Sequence, residues 1–313
     1  MTSAAPAILV RDLHKRYGEH HAVRGLDFGS NTTRLLVAEP SGAGLREVLA
    51  RRMFVPLVDG TGGAIDSETV TVLASVVAAH AALAREAGAE HIQAVATAAI
   101  RHAANREALC AAVKRESGLR VRILDDAEEA RLAFAGATGM IPAPPAGTIG
   151  VVDIGGGSSE LVAGTVSGGV SWYVSVRVGS GVLTERHVHG DPPTAAELEV
   201  LRTEAEMAFA GIDAPRPASL YAVGGSATSL RKLCGDELST AALDAALGLV
   251  AAWPVRDAAR RLSLARERVR LLPAGLVLLR AASAAFGGLP LEVARGGLRE
   301  GVVLEDFAAD RAT

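Results

Sequence analysis

Lysine is nearly absent from this chain: Lys15, Lys114 and Lys232 are the only three in 313 residues, and arginine supplies the rest of the positive charge. Guanidinium forks suit bidentate contacts to phosphate, although an Arg- and Ala-rich composition is also what a GC-rich genome produces. Cysteine is as scarce. Cys110 and Cys234 stand far apart with no C-x-x-C arrangement, which excludes a disulfide framework and leaves two reduced residues in apolar helical patterns. No G-x-x-x-x-G-K-S/T loop occurs, so P-loop ATPase machinery is excluded. No apolar h-region opens the chain, and the most apolar late stretch, 271–286, is interrupted by Pro273 and Arg280. The sequence therefore predicts neither a signal peptide nor a membrane span, and a cytoplasmic location. A net charge of −3 gives no global attraction for polyanions: nucleic acid is not an expected partner, and a phosphate-rich ligand must meet a local basic patch.

What is present is a soluble globular composition, 49% hydrophobic and 21% charged, in a chain long enough for two domains with real cores. Its most informative stretch runs from Val151 to Val162, where an apolar strand meets Asp153, then Gly155, Gly156 and Gly157, then Ser158, Ser159 and Glu160. Glycines let backbone N–H groups approach anionic oxygens, hydroxyls add donors, and two carboxylates can hold a hard cation. The same grammar occurs earlier, at Asp27, Gly29, Ser30, Asn31, Thr32 and Arg34. Aligning Asp27 with Asp153 brings Gly29 onto Gly155 and Arg34 onto Glu160, which indicates an internal duplication.

Apolar alternation predicts strands over 21–27, 34–38 and 46–57, then a helix over 66–87 capped by Asp66 or Ser67. A strand over 93–96, a helix over 103–116, a strand over 120–124 and a helix capped by Asp125 complete a first domain, 21–139. The Pro-rich segment 141–147 reads as a linker. A second domain, 148–313, repeats the order with strands over 148–153, 159–165 and 171–178, a helix over 194–210, a strand over 220–223 and mostly helices to Gly287. A strand over 291–294 then leads through Gly296 and Gly297 into a final helix. Residues 1–20 resemble the opening of an ABC-transporter ATPase, but without a phosphate loop they read as an extension outside the core.

Two Asp-x-Gly hairpins in successive halves resemble the actin-like ATPase superfamily. Further stretches narrow the resemblance to the exopolyphosphatase/guanosine pentaphosphate phosphatase family, Ppx/GppA: Ala94 to Arg101 with Asn105 and Arg106, Glu128 to Leu132, Val178 to Ser180 with Leu183 to Arg186, Val223 to Thr228, and Gly297 to Gly301. They cover the chain in order from about residue 21, in the short two-domain form of the family, since no His-Asp doublet of an appended metal phosphohydrolase domain occurs. Segment 58–63 follows the family only loosely. The resemblance implies an α/β fold of two ribonuclease-H-like domains with mixed β-sheets flanked by helices, an active site in the interdomain cleft, and a last helix returning toward the first domain.

It also implies roles. Glu129, directly before Ala130-Arg131-Leu132, corresponds to the water-activating base, although an acidic first helical turn also favours the helix dipole. Asp153 and Glu160 correspond to the carboxylates of a Mg²⁺ or Mn²⁺ site, with Asp27 facing Asp153 across the cleft. Ser30, Asn31, Thr32, Gly155, Gly156, Gly157 and Ser158 correspond to phosphate-binding turns, Arg101 to a phosphate-binding arginine, and Gly224, Gly225 and Ser226 to a helix N-terminus suited to an anion. The implied substrates are inorganic polyphosphate or guanosine pentaphosphate, hydrolysed with a divalent cation by a protein that forms homodimers. A sugar- or acetate-type kinase on the same fold and a binding-only polyphosphate or alarmone sensor are the competing readings.

Overall fold

A computed structural model describes residues 22–42, 44–57 and 63–310. The N-terminal extension and residues 58–62 lie outside the described residues. The first half runs β1 (Ala22–Phe28), β2 (Thr32–Ser41), β3 (Gly44–Phe54), α1 (Ser67–Glu86), β4 (Ala89–Ala96), α2 (Ala98–Arg101), α3 (Arg106–Ser117), β5 (Val121–Ile123) and α4 (Asp126–Gly139). The second runs β6 (Ile149–Ile154), β7 (Ser159–Thr165), β8 (Gly169–Val176), α5 (Ser180–His187), α6 (Ala195–Phe209), β9 (Ser219–Val223), α7 (Gly224–Cys234), β10 (Glu237–Leu238), α8 (Thr240–Ala251), α9 (Val255–Leu262), α10 (Arg266–Arg270), α11 (Leu272–Ala285), β11 (Leu291–Val293) and α12 (Leu298–Asp310).

The duplication read from the hairpins extends to whole sheets. One sheet has the order β3-β2-β1-β4-β5 and the other β8-β7-β6-β9-β11, with β10 added at its edge. In each, the first three strands are antiparallel neighbours and the next two join in parallel, the ribonuclease-H-like arrangement the resemblance implied. Strand β6 is buried on both faces, as a central strand with helices on either side must be. The first sheet packs Leu26, Leu35 and Ala96 against Leu73 and Val77 of α1 and Leu109 of α3. The second packs Val152 and Leu161 against Leu201 of α6, Leu230 of α7, Leu247 of α8 and Leu278 of α11. α1 is long and apolar enough to cross a membrane by length and composition, but Leu73, Ala74, Val77 and Ala84 are buried in the core of the first sheet.

Between the sheets lie α4 and α12. Phe134 and Ala137 of α4 pack on Val151, Val162 and Tyr221 of the second sheet, although α4 follows the last strand of the first. Val302 and Val303 of α12 pack on Val95 and on Leu36 and Ala38 of the first sheet. The helices approach so closely that a Cβ on Gly136 would overlap the Gly297 carbonyl oxygen, and one on Gly301 the Leu132 carbonyl oxygen. Arg122 of β5 ties them together, donating to Glu128 of α4 at 2.6 Å and to Glu305 of α12 at 2.7 Å.

Local differences from the sequence reading have identifiable causes. The helix expected over 103–116 is α3, which starts only at Arg106 because Asn105 is held outside it, its side chain accepting from the Ile65 N–H at 2.9 Å and donating to the Ile65 carbonyl at 2.7 Å; the short α2 before it was not anticipated. Helix α5 was not anticipated; its first N–H groups, at Ser180 and Gly181, donate to the carbonyls of Gly155 and Gly156. Asp125 caps α4 as expected and does so in a reciprocal box with Glu128. Asp125→Ala removes that cap and lowers stability by about 1 kcal/mol, measurable by denaturant unfolding.

Candidate active site

The two Asp-x-Gly turns close identically. Gly29 N–H donates to the Thr32 carbonyl at 3.0 Å, and Gly155 N–H to the Ser158 carbonyl at 2.9 Å. Each turn places its Asp opposite a fixed cross-strand partner, Asp27 opposite Arg34 and Asp153 opposite Glu160. Directly opposed residues in an antiparallel pair project to the same face, so the duplication puts a cation beside the first Asp and a second carboxylate beside the other. The turns meet tip to tip: a Cβ on Gly156 would lie 2.5 Å from Asn31 Nδ2, and one on Gly157 would overlap Ser30 Oγ.

The cavity between them is lined by Asp27, Ser30, Asn31, Thr32, Glu129, Asp153, Gly155, Gly156, Ser158, Glu160, Gly224 and Gly225, so most of the expected site residues converge. Gly224 holds φ +83° and presses on Asp153, whose Oδ1 a Cβ would overlap; only glycine satisfies both demands. Gly157 touches Ser30 rather than lining the cavity. Ser226 is buried one step further along α7 and faces Gly275, outside the lining.

Arg101 also stands outside the lining. Its Nη1 donates to the Leu124 carbonyl at 2.5 Å and to Glu129 Oε2 at 3.1 Å, and its Nη2 pairs with Asp126. In this arrangement the side chain expected on phosphate instead holds the expected base in place.

Five carboxylates line the cleft, Asp27, Glu129, Asp153, Glu160 and Glu300, and burial works against the charge of the first four. Burial pushes Glu129 up to about 7 despite the opposing pull of Arg101, with Asp27 and Asp153 adding to the rise. Burial pushes Asp153 up to about 6, and Glu160 well above the usual range with the help of Glu129 and Asp153. Asp27 is raised by burial as well, and its Oδ1 is buried with no hydrogen-bond partner. Crowded carboxylates with an orphaned oxygen are a hard-donor set that a divalent cation would neutralise. Among the described residues no three His, Cys, Asp or Glu side chains make a self-sufficient metal cage. Two carboxylates completed by water and phosphate oxygens are the usual magnesium arrangement, so Asp153 and Glu160 fit that role.

Sequence reasoning missed the cations at the other end. Arg34 and Arg268 converge on Gly225, where a Cβ would lie 2.5 and 2.6 Å from their Nη2 atoms. Neither forms an ion pair with a carboxylate among the described residues, and Arg268 Nε is buried without a partner. Burial, then Arg34 and Arg52, bring Arg268 down to about 9, while its guanidinium rests 5.6 Å from the centre of the Phe54 ring. The signal for Arg34 was its alignment with Glu160; Arg268, on the short helix α10, left none.

These neighbours form a row. Arg268 and Arg52 lie by Arg34, Arg34 by Asp27 and Asp153 with Arg299 beside all three, those two carboxylates by Glu129, and Glu129 by Arg101. Cations at one end, clustered carboxylates in the middle and glycine turns beside them suit a chain of phosphates entering end-on.

The sequence model of the Ppx/GppA phosphatase family matches residues 41–309. The chain belongs to this family. Its members hydrolyse phosphoanhydride bonds, so the chain is a phosphatase of that class. Exopolyphosphatase 1 of Mycobacterium leprae is 28% identical over 305 residues, covering 91% of this chain and 89% of the relative. The guanosine-5'-triphosphate,3'-diphosphate pyrophosphatase of Aeromonas hydrophila is 27% identical over 301 residues, covering 89% of this chain and 58% of that protein. Among solved structures, the Aquifex aeolicus Ppx/GppA family member superimposes with a TM-score of 0.76 at 27% identity, covering 93% of this chain and 98% of that one.

Proposed function

We propose that this Ppx/GppA protein is an exopolyphosphatase that releases terminal orthophosphate from inorganic polyphosphate with the aid of Mg²⁺ or Mn²⁺. The observation that carries the reading is the row of charges, in which Arg268, with no carboxylate beside it, and Arg34, next to Asp27 and Asp153, stand at one end and Glu129 at the other. The terminal phosphate lies against the turns at Ser30 to Thr32 and Gly155 to Ser158. Asp153 and Glu160 would hold the cation, which when bound would neutralise charge on the transferred phosphoryl group.

Glu129 takes a proton from a water whose oxygen bonds to the terminal phosphorus, and the bond from that phosphorus to the bridging oxygen breaks. In-line displacement puts the leaving chain opposite the water, hence on the side of Arg34 and Arg268, whose charges stabilise the new terminal oxygen. Arg101 holds the Glu129 carboxylate in position. Because Arg268 is desolvated beside like charges, Arg268→Gln raises KM for polyphosphate by about tenfold or more, the weight of a hydrogen bond to a charged group, while the unfolding midpoint stays or rises.

A second substrate, guanosine pentaphosphate, is favoured by one observation. A larger cavity of about 680 Å³ shares Asn31 and Leu271 with the catalytic one and is walled by Phe54, Pro56, Leu57 and Ile65, a surface of use to a nucleoside and of none to a bare phosphate chain. The proposal takes the protein as a cytoplasmic enzyme, homodimeric as the family resemblance implies. Phosphate release by the purified protein with Mg²⁺, from long-chain polyphosphate, guanosine pentaphosphate and ATP in parallel, tests it. Release from polyphosphate is expected; release from guanosine pentaphosphate alone transfers the function to the alarmone, and binding of either without release makes the protein a sensor.

A further inference from the structure

Past Glu129, the row of charges continues to the surface. His102 follows Arg101 at the end of α2, and Arg177, the residue after β8, places Nη2 2.8 Å from His102 Nδ1 and 2.9 Å from Nε2. Arg106 reaches back from α3 and donates to the Arg101 carbonyl at 3.1 Å. His102, Arg106 and Arg177 are all exposed. Burial, Arg177, Arg101 and Arg106 hold the His102 imidazole below its ordinary range, and the carboxylate that opposes them, Asp126, is already paired with Arg101. Neither Arg106 nor Arg177 pairs with a carboxylate among the described residues.

The cluster is also assembled from both halves of the chain. His102 and Arg106 belong to the first, whereas Arg177 belongs to the second, two residues before Gly179, whose backbone packs against Gly156 of the phosphate turn. Two cations gathered around an imidazole beside Arg101, next to the cleft, repel one another, and a small dianion offsets that repulsion.

In-line displacement says which dianion belongs there. The shortened polyphosphate remains on the side of Arg34 and Arg268, and the water enters on the side of Glu129. Orthophosphate is formed between them, and its way past Arg34 is filled by the remaining chain. We propose that Arg177, His102 and Arg106 form a second oxyanion site, for an orthophosphate-sized dianion, through which product leaves the cleft on the Glu129 side. The assignment rests on the exopolyphosphatase reading.

The test has two arms at one fixed pH. In the first, inorganic phosphate is titrated into the protein while the imidazole resonances are followed by NMR, with His102 assigned from the signal lost in His102→Gln. The His102 signal shifts saturably in the wild type, and in Arg177→Gln and Arg106→Gln the half-saturating phosphate concentration rises by about tenfold or more. A His102 signal that ignores phosphate, or shifts alike in all three proteins, overturns the site. In the second arm, inhibition of polyphosphate hydrolysis by added phosphate weakens in Arg177→Gln by a similar factor while KM for polyphosphate changes less. If KM rises in step with the inhibition constant, Arg177 serves the incoming chain and the exit is refuted. An unfolding midpoint that falls with phosphate inhibition unaltered makes the Arg177–His102 contact a tie between the halves and nothing more. If the wild type releases no phosphate from polyphosphate, the exopolyphosphatase reading fails and the exit role with it, whatever the NMR arm says of anion binding.

Discussion

Glu129→Gln lowers the rate of orthophosphate release by about 10²- to 10⁴-fold, the contribution of a positioned general base, and leaves the protein folded. The substitution keeps the shape of the side chain and the Arg101 contact while removing the proton acceptor. The pH dependence follows from the raised pKa. With Glu129 pushed up to about 7 by burial, the free enzyme has its base protonated in mild acid, and kcat/KM rises as pH passes through that region. The limb belongs to the interacting carboxylates as a group, since Asp27 and Asp153 act on Glu129 and Glu129 on Glu160, so in the variant the residual activity has its limb displaced from the wild-type position. Raising the magnesium concentration moves it to lower pH, because a neighbouring dication favours the ionised form.

Stability changes in the opposite sense. Between the ordinary glutamate value of 4.5 and about 7, folded protein keeps a proton on Glu129 that unfolded protein has lost. Stability therefore falls as pH rises through that window, and above it the full penalty of a desolvated carboxylate is present. Glu129→Gln removes the penalty, so the variant gains more unfolding stability over the wild type at pH 8 than at pH 5. Equal gains at both values would show that Glu129 is not desolvated as described, and a variant that keeps wild-type turnover would remove it from the base role.

Gly136→Ala lowers the unfolding midpoint by about 5 °C, on the order of 3 kcal/mol for a severe overpacking, although it adds a single methyl group and alanine is the better helix former. A Cβ there overlaps the Gly297 carbonyl oxygen and also lies 2.6 Å from the Gly301 N–H nitrogen, both backbone atoms of the neighbouring helix segment that cannot rotate away. Either α4 and α12 separate or one bends. Since α4 carries Glu129 and α12 carries Arg299 and Glu300, which line the cavity, separation also misplaces the base against Asp27 and Asp153. Activity measured well below the midpoint is thus expected to fall along with stability, and Gly248→Ala, exposed within α8 with nothing near its added Cβ, serves as the control for glycine removal without a helix contact. A Gly136→Ala protein with unchanged midpoint and turnover would mean that the crossing has slack the backbone distances deny.

Some of this was legible in the residues because it is local. A turn closed between Gly29 and Thr32, or between Gly155 and Ser158, depends on four neighbouring residues, and the strands flanking it on simple alternation. Asp125 announced the start of α4, and the repeated hairpin announced two equivalent sheets. The pairing of Asp153 with Glu160 followed from the same hairpin, since spacing across a tight turn sets which residues stand opposite.

What tertiary structure decided lies between segments that have no spacing in common. Arg34 and Arg268 meet at Gly225 from three separate elements, and nothing in the periodicity of any one of them encodes the meeting. Arg101 matched a phosphate-binding motif, yet its partners became Glu129 and Asp126, because the end of α2 and the first turn of α4 are packed side by side. The motifs identified which groups carry the chemistry. Packing of α4 and α12 between the two sheets decided which of those groups face one another, since charge and burial act through space rather than along the chain.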